Sequence, residues 1–322
     1  MKGQGLVART GKALPAKGRL GKAQRKKDLW GYALVSPWLF GFLTLTLLPM
    51  ASSIYLSLTD YDVFSPPKWV GLTNFQNMFS FDPRYWVSLL NTTYYAVFSV
   101  PLSIGLALTV AILLNQGLPG QNAFRTIYYM PSVVSGVGMS LLWLYLFDPN
   151  IGLINLALGA VGIRGPAWLQ DPGWSKPALI LMSMWGIGGQ MVIFLAGLQG
   201  VPPELYEAAQ VDGANRLQKV AYVTIPLITP TIFFTLIMGI IGSFQVFTQA
   251  YVMTRGGPVN STLFYVLYLY LNAFRFFEMG YASAMAWVLF FIILAPTALQ
   301  FRLAGRWVYY EAARPVAGGR PM

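Results

Sequence analysis

Six segments of this chain are each apolar over about 20 residues or more, the length that a helix needs to cross the hydrocarbon core of a bilayer. They are 32–58, 88–114, 125–147, 177–198, 223–247 and 281–301. All eleven acidic residues lie outside these segments, and charged residues make up only 10% of the chain. A soluble domain carries roughly 25%. The sequence therefore predicts an all-α integral membrane protein with six transmembrane helices.

The basic residues predict how these helices are oriented. Nine of the 22 Lys and Arg residues fall within the first 29 positions. If the N-terminus is cytoplasmic, the basic residues left on the outer side are Lys68, Arg84, Arg164, Lys176, Arg255 and Arg275. Short loops rich in Lys and Arg stay in the cytoplasm. Both termini are therefore predicted to be cytoplasmic.

The net charge of +11 comes largely from the N-terminal tail, which is rich in Gly and Ala and has no aromatic residue before Trp30. Contact with anionic membrane lipid explains such a tail better than base recognition does, so no nucleic-acid partner is expected. The predicted organisation is a basic cytoplasmic tail (1–29), a transmembrane domain (30–310) and a cytoplasmic C-terminal tail (311–322).

Several kinds of chemistry lack their usual residues in this sequence. It contains no Cys and no His, which removes thiol chemistry, the usual zinc sites and His-based acid–base catalysis. No carboxylate inside a predicted span can carry a coupling ion, although sodium sites built from backbone carbonyls remain open. No phosphate-binding G-x-x-x-x-G-K-[ST] loop occurs. We expect no enzyme activity, no catalytic or metal-binding residues, and no cofactor in this chain.

A charged, helix-forming stretch, 201–230, separates the fourth and fifth apolar segments. Pro202 and Pro203 suit the start of a helix, and Gly213 permits the turn that ends it. Placing the three charges of its central part at mid-membrane would cost about 8–10 kcal/mol on the insertion scale. The stretch is therefore predicted to lie in water. A surface helix without a special function would satisfy the same physics.

The amino-acid sequence of this stretch is more informative about function than its charge pattern, because it resembles the EAA loop of importer-type ABC permeases. The matching residues are Glu207, Ala208, Ala209, Asp212, Gly213 and Ala214, followed by Ile225-Pro226 and Pro230. Val220 departs from the pattern, since the family usually has Phe there. Other stretches of the chain also resemble motifs of these permeases, namely 71–75, 90–92, 125–126, 130–132, 194–198, 256–258 and 280–284.

From about Trp30 onward, the chain is similar to the carbohydrate-uptake class of ABC importer permeases, the maltose and glycerol-3-phosphate type. Within that binding-protein-dependent family it resembles the first of the two permeases. The resemblance implies a second, similar permease, two ATP-binding subunits that hold ATP and Mg, and an extracytoplasmic solute-binding protein. It also implies a bacterial or archaeal cytoplasmic (inner) membrane. Between the fourth and fifth spans it implies a coupling loop, 201–222, whose helix docks onto an ATP-binding subunit.

A passage for sugars needs amides and aromatic rings more than charge, because sugars have many hydroxyls and apolar ring faces. The fourth and fifth spans offer such residues, and helices at these positions line the solute cavity in maltose-type relatives. The predicted pathway residues are Trp185, Gly186, Gln190, Ser243, Phe244 and Gln245. Glycines and glutamines in spans also serve helix packing, so that interpretation stays open.

The function that these features predict is ATP-driven import of a small sugar or oligosaccharide, in which this chain is a non-catalytic permease. Arg125 lies at the membrane edge and no other Lys or Arg lies within a predicted span, which favours neutral saccharides. Glycerol-3-phosphate, an acidic oligosaccharide or a polyol are the alternatives within the same machine. An energy-independent channel could use the same spans but has no need of the EAA loop, and a membrane enzyme would need clustered carboxylates, histidines or metal ligands.

Overall fold

The computed structural model describes residues 22–117 and 119–309, which are mostly helical. The chain divides into two compact units, Met1–Ser53 and Ile54–Met322. Of the two predicted tails, residues 1–21 and 311–322 lie outside the described part of the chain.

The first unit is a helical run of α1 (Lys22–Phe42), a π-helical turn (Leu43–Leu47) and most of α2 (Leu48–Ser57). The stretch Lys27–Ser57 is long and apolar enough to cross a membrane, close to the predicted span 32–58. Large apolar side chains are exposed all round this run. A helix that is apolar on every side requires an apolar environment, and lipid supplies one.

The second unit opens with short elements that precede its first long helix. They are β1 (Thr59–Asp60), β2 (Lys68–Trp69), α3 (Thr73–Gln76) and a π-helical turn (Asn77–Phe81). The strands pair antiparallel, with Thr59 opposite Trp69. The side-chain amide of buried Asn74 donates to the carbonyls of Ser57 and Thr59, each at 2.9 Å. These bonds fix α3 against the hairpin.

The remaining elements are mainly helices. They are α4 (Pro83–Leu114), α5 (Gln121–Val133), α6 (Gly136–Leu146), α7 (Leu153–Ala160), α8 (Pro172–Trp185), α9 (Gly188–Gln199), α10 (Pro203–Val211), α11 (Arg216–Lys219), a π-helical turn (Val220–Thr224), α12 (Ile225–Leu227), α13 (Thr229–Phe244), a π-helical turn (Ala250–Thr254), α14 (Tyr265–Phe274) and α15 (Met279–Trp307).

Three of the six predicted spans are bent pairs of helices. The bends are 100° between α5 and α6, 48° between α8 and α9, and 69° between Arg216–Leu227 and α13. At the first bend, Val134 and Ser135 adopt extended backbone conformations, and the Ser135 hydroxyl caps α6 by accepting from the Gly138 N–H. Counting each bent pair as one span gives six within the described residues, as predicted.

Helix α4 forms the axis of the second unit and packs against α8, α9 and α13, while α14 packs against α15. We name the end at which α4 and α15 begin the loop end, and the end at which they finish the coupling end. At the loop end, one buried cluster includes Tyr85, Phe147, Phe264, Tyr265 and Met285. Toward the coupling end, a second cluster includes Ala107, Ala111, Met191, Phe194, Leu198 and Ile228.

Gly188, the first residue of α9, lies directly against α5. A Cβ there would lie 2.5 Å from the Tyr128 carbonyl oxygen and 2.7 Å from Tyr129 Cα, whereas a Cβ on Gly189 would meet nothing within 4 Å. Gly188→Ala must displace backbone, at about 1–3 kcal/mol for overpacking. We expect it to lower the Tm in detergent, and Gly189→Ala to leave the Tm equal or higher. Equal losses in both variants would contradict this close packing of α5 and α9.

A single carboxylate joins three elements at the loop end. Asp82 Oδ1 caps α4 by accepting from the backbone N–H groups of Arg84 (2.9 Å) and Tyr85 (3.3 Å). Its Oδ2 accepts from the hydroxyls of Tyr268 and Tyr281, both at 2.6 Å. Hydrogen bonds to an ionised acceptor are stronger than neutral ones. Asp82 therefore holds the starts of α4 and α15 against α14.

Glu278, directly before α15, gives the loop end a dependence on pH. Partial burial, followed by the negative charges of Asp82 and Asp60, raises the pKa of the Glu278 carboxyl above its ordinary value. The folded state therefore holds this proton more tightly than the unfolded chain does, and stability falls as pH rises from the ordinary pKa through the folded one.

We expect Glu278→Gln to raise the Tm at about pH 8 and to leave it nearly unchanged at about pH 4, because the carboxyl is already protonated there. Thermal unfolding of the purified protein at both pH values measures this. Glu207→Gln, at an exposed carboxylate, is the control and should change the Tm little at either pH. A lower Tm for Glu278→Gln at pH 8 would contradict the expectation.

Candidate functional site

The predicted coupling residues form a short helix and the turn that follows it. Helix α10 begins at Pro203 and carries Glu204 in its first turn, where a negative charge suits the helix dipole. It ends at Val211, and Gly213 follows with φ +80°. This left-handed conformation costs glycine little and other residues more. The Ala214 N–H then donates to the Ala209 carbonyl at 2.9 Å and closes the turn.

Helix α11 is attached to this turn by side-chain hydrogen bonds. Asn215 and Gln218 form a reciprocal capping box at its start, with bonds of 2.8 and 2.9 Å. Lys219 Nζ donates to Gln210 Oε1 of α10 at 3.0 Å. The hydroxyls of Tyr206 and Thr224 lie 3.0 Å apart and join α10 to the π-helical turn that starts at Val220. We name residues 203–224 the coupling segment.

The coupling segment presents small and apolar residues on an open surface. Glu207, Ala208, Asp212 and Gly213 are exposed, while Ala209 and Ala214 are partly buried. Val211, Leu217 and Tyr222 are 88%, 81% and 78% exposed. Large apolar side chains with such high solvent exposure are typical of a surface that another protein covers.

A cavity of about 450 Å³ lies between α4, α8, α9 and α13. We name it the transit cavity. Among the described residues, no Asp, Glu, Lys or Arg lines it. Its polar lining residues are Tyr95, Ser99, Ser103, Ser183, Gln190, Thr235, Ser243 and Gln249. Hydroxyl and amide groups of this kind exchange hydrogen bonds with a neutral polar solute.

Three of the six predicted pathway residues line the transit cavity, and the other three do not. Gly186, Gln190 and Ser243 line the transit cavity. Trp185 lines a separate apolar groove of about 480 Å³. Phe244 packs against the loop-end core, and Gln245 is the exposed C-cap residue of α13.

The second predicted span also contributes to this cavity, which was not predicted from the sequence. Tyr95, Ser99 and Ser103 recur every fourth residue of α4, so they lie on one helix face, and all three line the cavity. The Tyr95 hydroxyl lies beside the side chains of Ser183 and Gln249. The spacing of these polar residues in an apolar helix was the available signal.

Gln190 carries an unused hydrogen-bond acceptor. Its Oε1 atom is buried and has no hydrogen-bond partner among the described residues. An unpaired buried polar atom costs about 1–3 kcal/mol. A water molecule or a hydroxyl group in the transit cavity can satisfy it.

Residues 72–309 match the family described as the binding-protein-dependent transport system inner membrane component. This chain belongs to that family. It is therefore a permease of a binding-protein-dependent importer and a non-catalytic membrane component. The match covers the coupling segment and every residue that lines the transit cavity.

Curated relatives and a solved structure agree with the family. The permease is 46% identical to the probable ABC transporter permease protein YesP of Bacillus subtilis (strain 168), over 89% of this chain and 94% of YesP. It is 36% identical to the lactose transport system permease protein LacF of Rhizobium radiobacter, over 87% of this chain and 96% of LacF.

The fold matches a chain in the crystal structure of a bacterial alginate ABC transporter in complex with an alginate pentasaccharide-bound periplasmic protein. The TM-score is 0.79 at 23% identity, over 89% of this chain and 98% of the other. The permease therefore has the fold of an ABC transporter membrane subunit, which confirms the predicted fold class.

Proposed function

We propose that this permease imports a sugar or oligosaccharide, delivered by an extracytoplasmic binding protein, with energy from ATP-binding partner subunits. The observation that carries the proposal is the transit cavity, whose lining is rich in hydroxyls and amides and free of charge. The similarity to LacF, a lactose transport system permease protein, supports the same substrate class.

The assembly that we propose contains a second, homologous permease and two ATP-binding subunits, which hold ATP and Mg. The transmembrane domain, 30–310, lies in the cytoplasmic membrane, and both tails face the cytoplasm. The coupling end then faces the ATP-binding subunits, and the loop end faces the binding protein. The distribution of Lys and Arg supports this orientation.

In this mechanism the coupling segment is the part that the ATP-binding subunits move. The small residues Ala208, Ala209 and Gly213 allow close approach by a partner, while Glu207 and Asp212 supply carboxylates for charge-assisted hydrogen bonds. The Tyr206–Thr224 contact leads from α10 to the turn before α13. Displacement of α10 is thereby passed toward α13, which lines the transit cavity.

ATP-dependent uptake into proteoliposomes tests this function. The permease is reconstituted with its partner subunits and the binding protein, which is loaded from a panel of radiolabelled disaccharides and oligosaccharides. We expect uptake of at least one saccharide with ATP and none with a non-hydrolysable ATP analogue. Uptake that is independent of ATP would identify a channel and refute the proposal.

A further inference from the structure

A second cavity, of about 400 Å³, lies at the loop end between α14 and the π-helical turn after α13. Buried Leu267 forms part of its floor. Leu271, two basic residues and three aromatic residues line the rest, and we name it the arginine pocket. The basic and aromatic residues are Tyr251, Arg255, Tyr270, Phe274 and Arg275.

The aromatic rings of the pocket form a connected set. The centroid of Tyr270 lies 5.4 Å from that of Tyr251 and 5.2 Å from that of Phe274. Phe247 stacks on Tyr251 at 5.3 Å, with an interplanar angle of 17°. Rings fixed in this way lose little entropy when a ligand packs against them, and their faces suit the apolar faces of sugar rings.

Both arginines are exposed, and neither forms an ion pair within residues 22–117 and 119–309. Arg255 has a left-handed backbone, with φ 51°. The adjacent turn is fixed, because the hydroxyls of Thr254 and Thr262 lie 2.6 Å apart and Thr262 donates to the Gly257 carbonyl at 2.7 Å. A guanidinium group binds carboxylates through two parallel hydrogen bonds.

The residues of the arginine pocket are close in sequence to residues that line the transit cavity. Val246 and Gln249 line the transit cavity, and Tyr251 and Arg255, a few residues later, line the pocket.

We propose that the arginine pocket binds the carboxylate of an acidic saccharide before the sugar enters the transit cavity. Uronate units combine an anionic group with an apolar ring face, and the pocket offers partners for both. A neutral sugar would leave two guanidinium groups unused, and a small inorganic anion would leave the rings unused. The inference rests on the proposed function, because it assigns a substrate class to the same importer.

Equilibrium binding to the assembled importer, without binding protein and in phosphatidylcholine nanodiscs, tests the pocket. The probes are digalacturonate and its dimethyl ester, which keeps the rings but lacks the charge. We expect wild type to bind the acid about tenfold more tightly than the ester, as the loss of one charge-assisted hydrogen bond predicts. Arg255→Gln with Arg275→Gln should remove this preference and leave ester binding unchanged.

Two control variants separate the roles of charge and rings. Arg164→Gln, at an exposed arginine between α7 and α8, should keep the preference for the acid. Tyr270→Leu should weaken binding of both probes. Equal binding of acid and ester by wild type, binding of neither, or an unchanged preference in the double variant would each overturn the proposal.

The carboxylate could also belong to the binding protein, and ATPase stimulation distinguishes that source. The concentration of binding protein that gives half-maximal stimulation should be the same in wild type and in the double variant. A rise in the double variant would assign the arginines to the binding protein and overturn the saccharide site. ATP-driven uptake of any saccharide by the same variants would leave the proposed function standing after such a failure.

Discussion

Gly213→Trp is expected to abolish most ATP-driven uptake while the permease remains inserted and folded. A Cβ at Gly213 meets nothing within 4 Å among the described residues, so the indole has space, and the left-handed backbone adds a cost of about 1–2 kcal/mol. The indole would instead occupy the surface onto which an ATP-binding subunit docks. An interface hot spot contributes about 2 kcal/mol or more, which corresponds to a roughly 30-fold lower uptake rate.

Gly117 provides a matched control for this variant. It also has a left-handed backbone, with φ +68°, and meets nothing within 4 Å, but it lies outside the coupling segment. Gly117→Trp carries a similar backbone penalty of about 1–2 kcal/mol outside the coupling segment. We expect its uptake to stay close to wild type. Equal losses in both variants would show that backbone strain, and not docking, limits transport.

Gln190→Leu is expected to lower the kcat/KM of saccharide uptake by about tenfold, because the solute loses one or two hydrogen bonds of about 0.5–1.5 kcal/mol each. The stimulation of ATPase activity by the binding protein should persist, since Gln190 lies outside the coupling segment. The Tm should not fall, because the substitution removes a buried atom that lacks a partner.

The comparison variant for Gln190 is Gln245→Leu. Gln245 has the same side chain but caps α13 from an exposed position, away from the residues that line the transit cavity. We expect a much smaller effect on uptake from this change. Equal losses from the two substitutions, or a larger loss from Gln245→Leu, would place the solute path elsewhere.

The spans and the coupling segment could be predicted because they depend on local properties of the sequence. Apolar length is sufficient to identify a membrane span. A glycine at position 213 predicts a turn with a left-handed backbone, because glycine adopts positive φ readily. The structure has this conformation, with φ +80°. The stretch from Pro203 to Val211 forms the predicted helix.

The lining of the cavities depends on where helices bend, which local patterns report poorly. The predicted fifth span continues to Phe247, but α13 ends at Phe244, and Gln245 lies at the exposed cap instead of on an inner face. Arg255 and Arg275 are 20 positions apart and line one pocket only because α14 returns beside the π-helical turn. Their proximity follows from tertiary packing and has no sequence signal.

Site-directed crosslinking tests most directly whether the coupling segment contacts an ATP-binding subunit. The chain contains no cysteine, so a photoreactive maleimide can be attached at Ala208→Cys alone, on the exposed face of α10. Ala160→Cys, at the exposed end of α7, is the control in the same importer. We expect illumination to link the ATP-binding subunit to Ala208→Cys and not to Ala160→Cys. The reverse pattern, or no link from Ala208→Cys in an importer that transports, would contradict the coupling role.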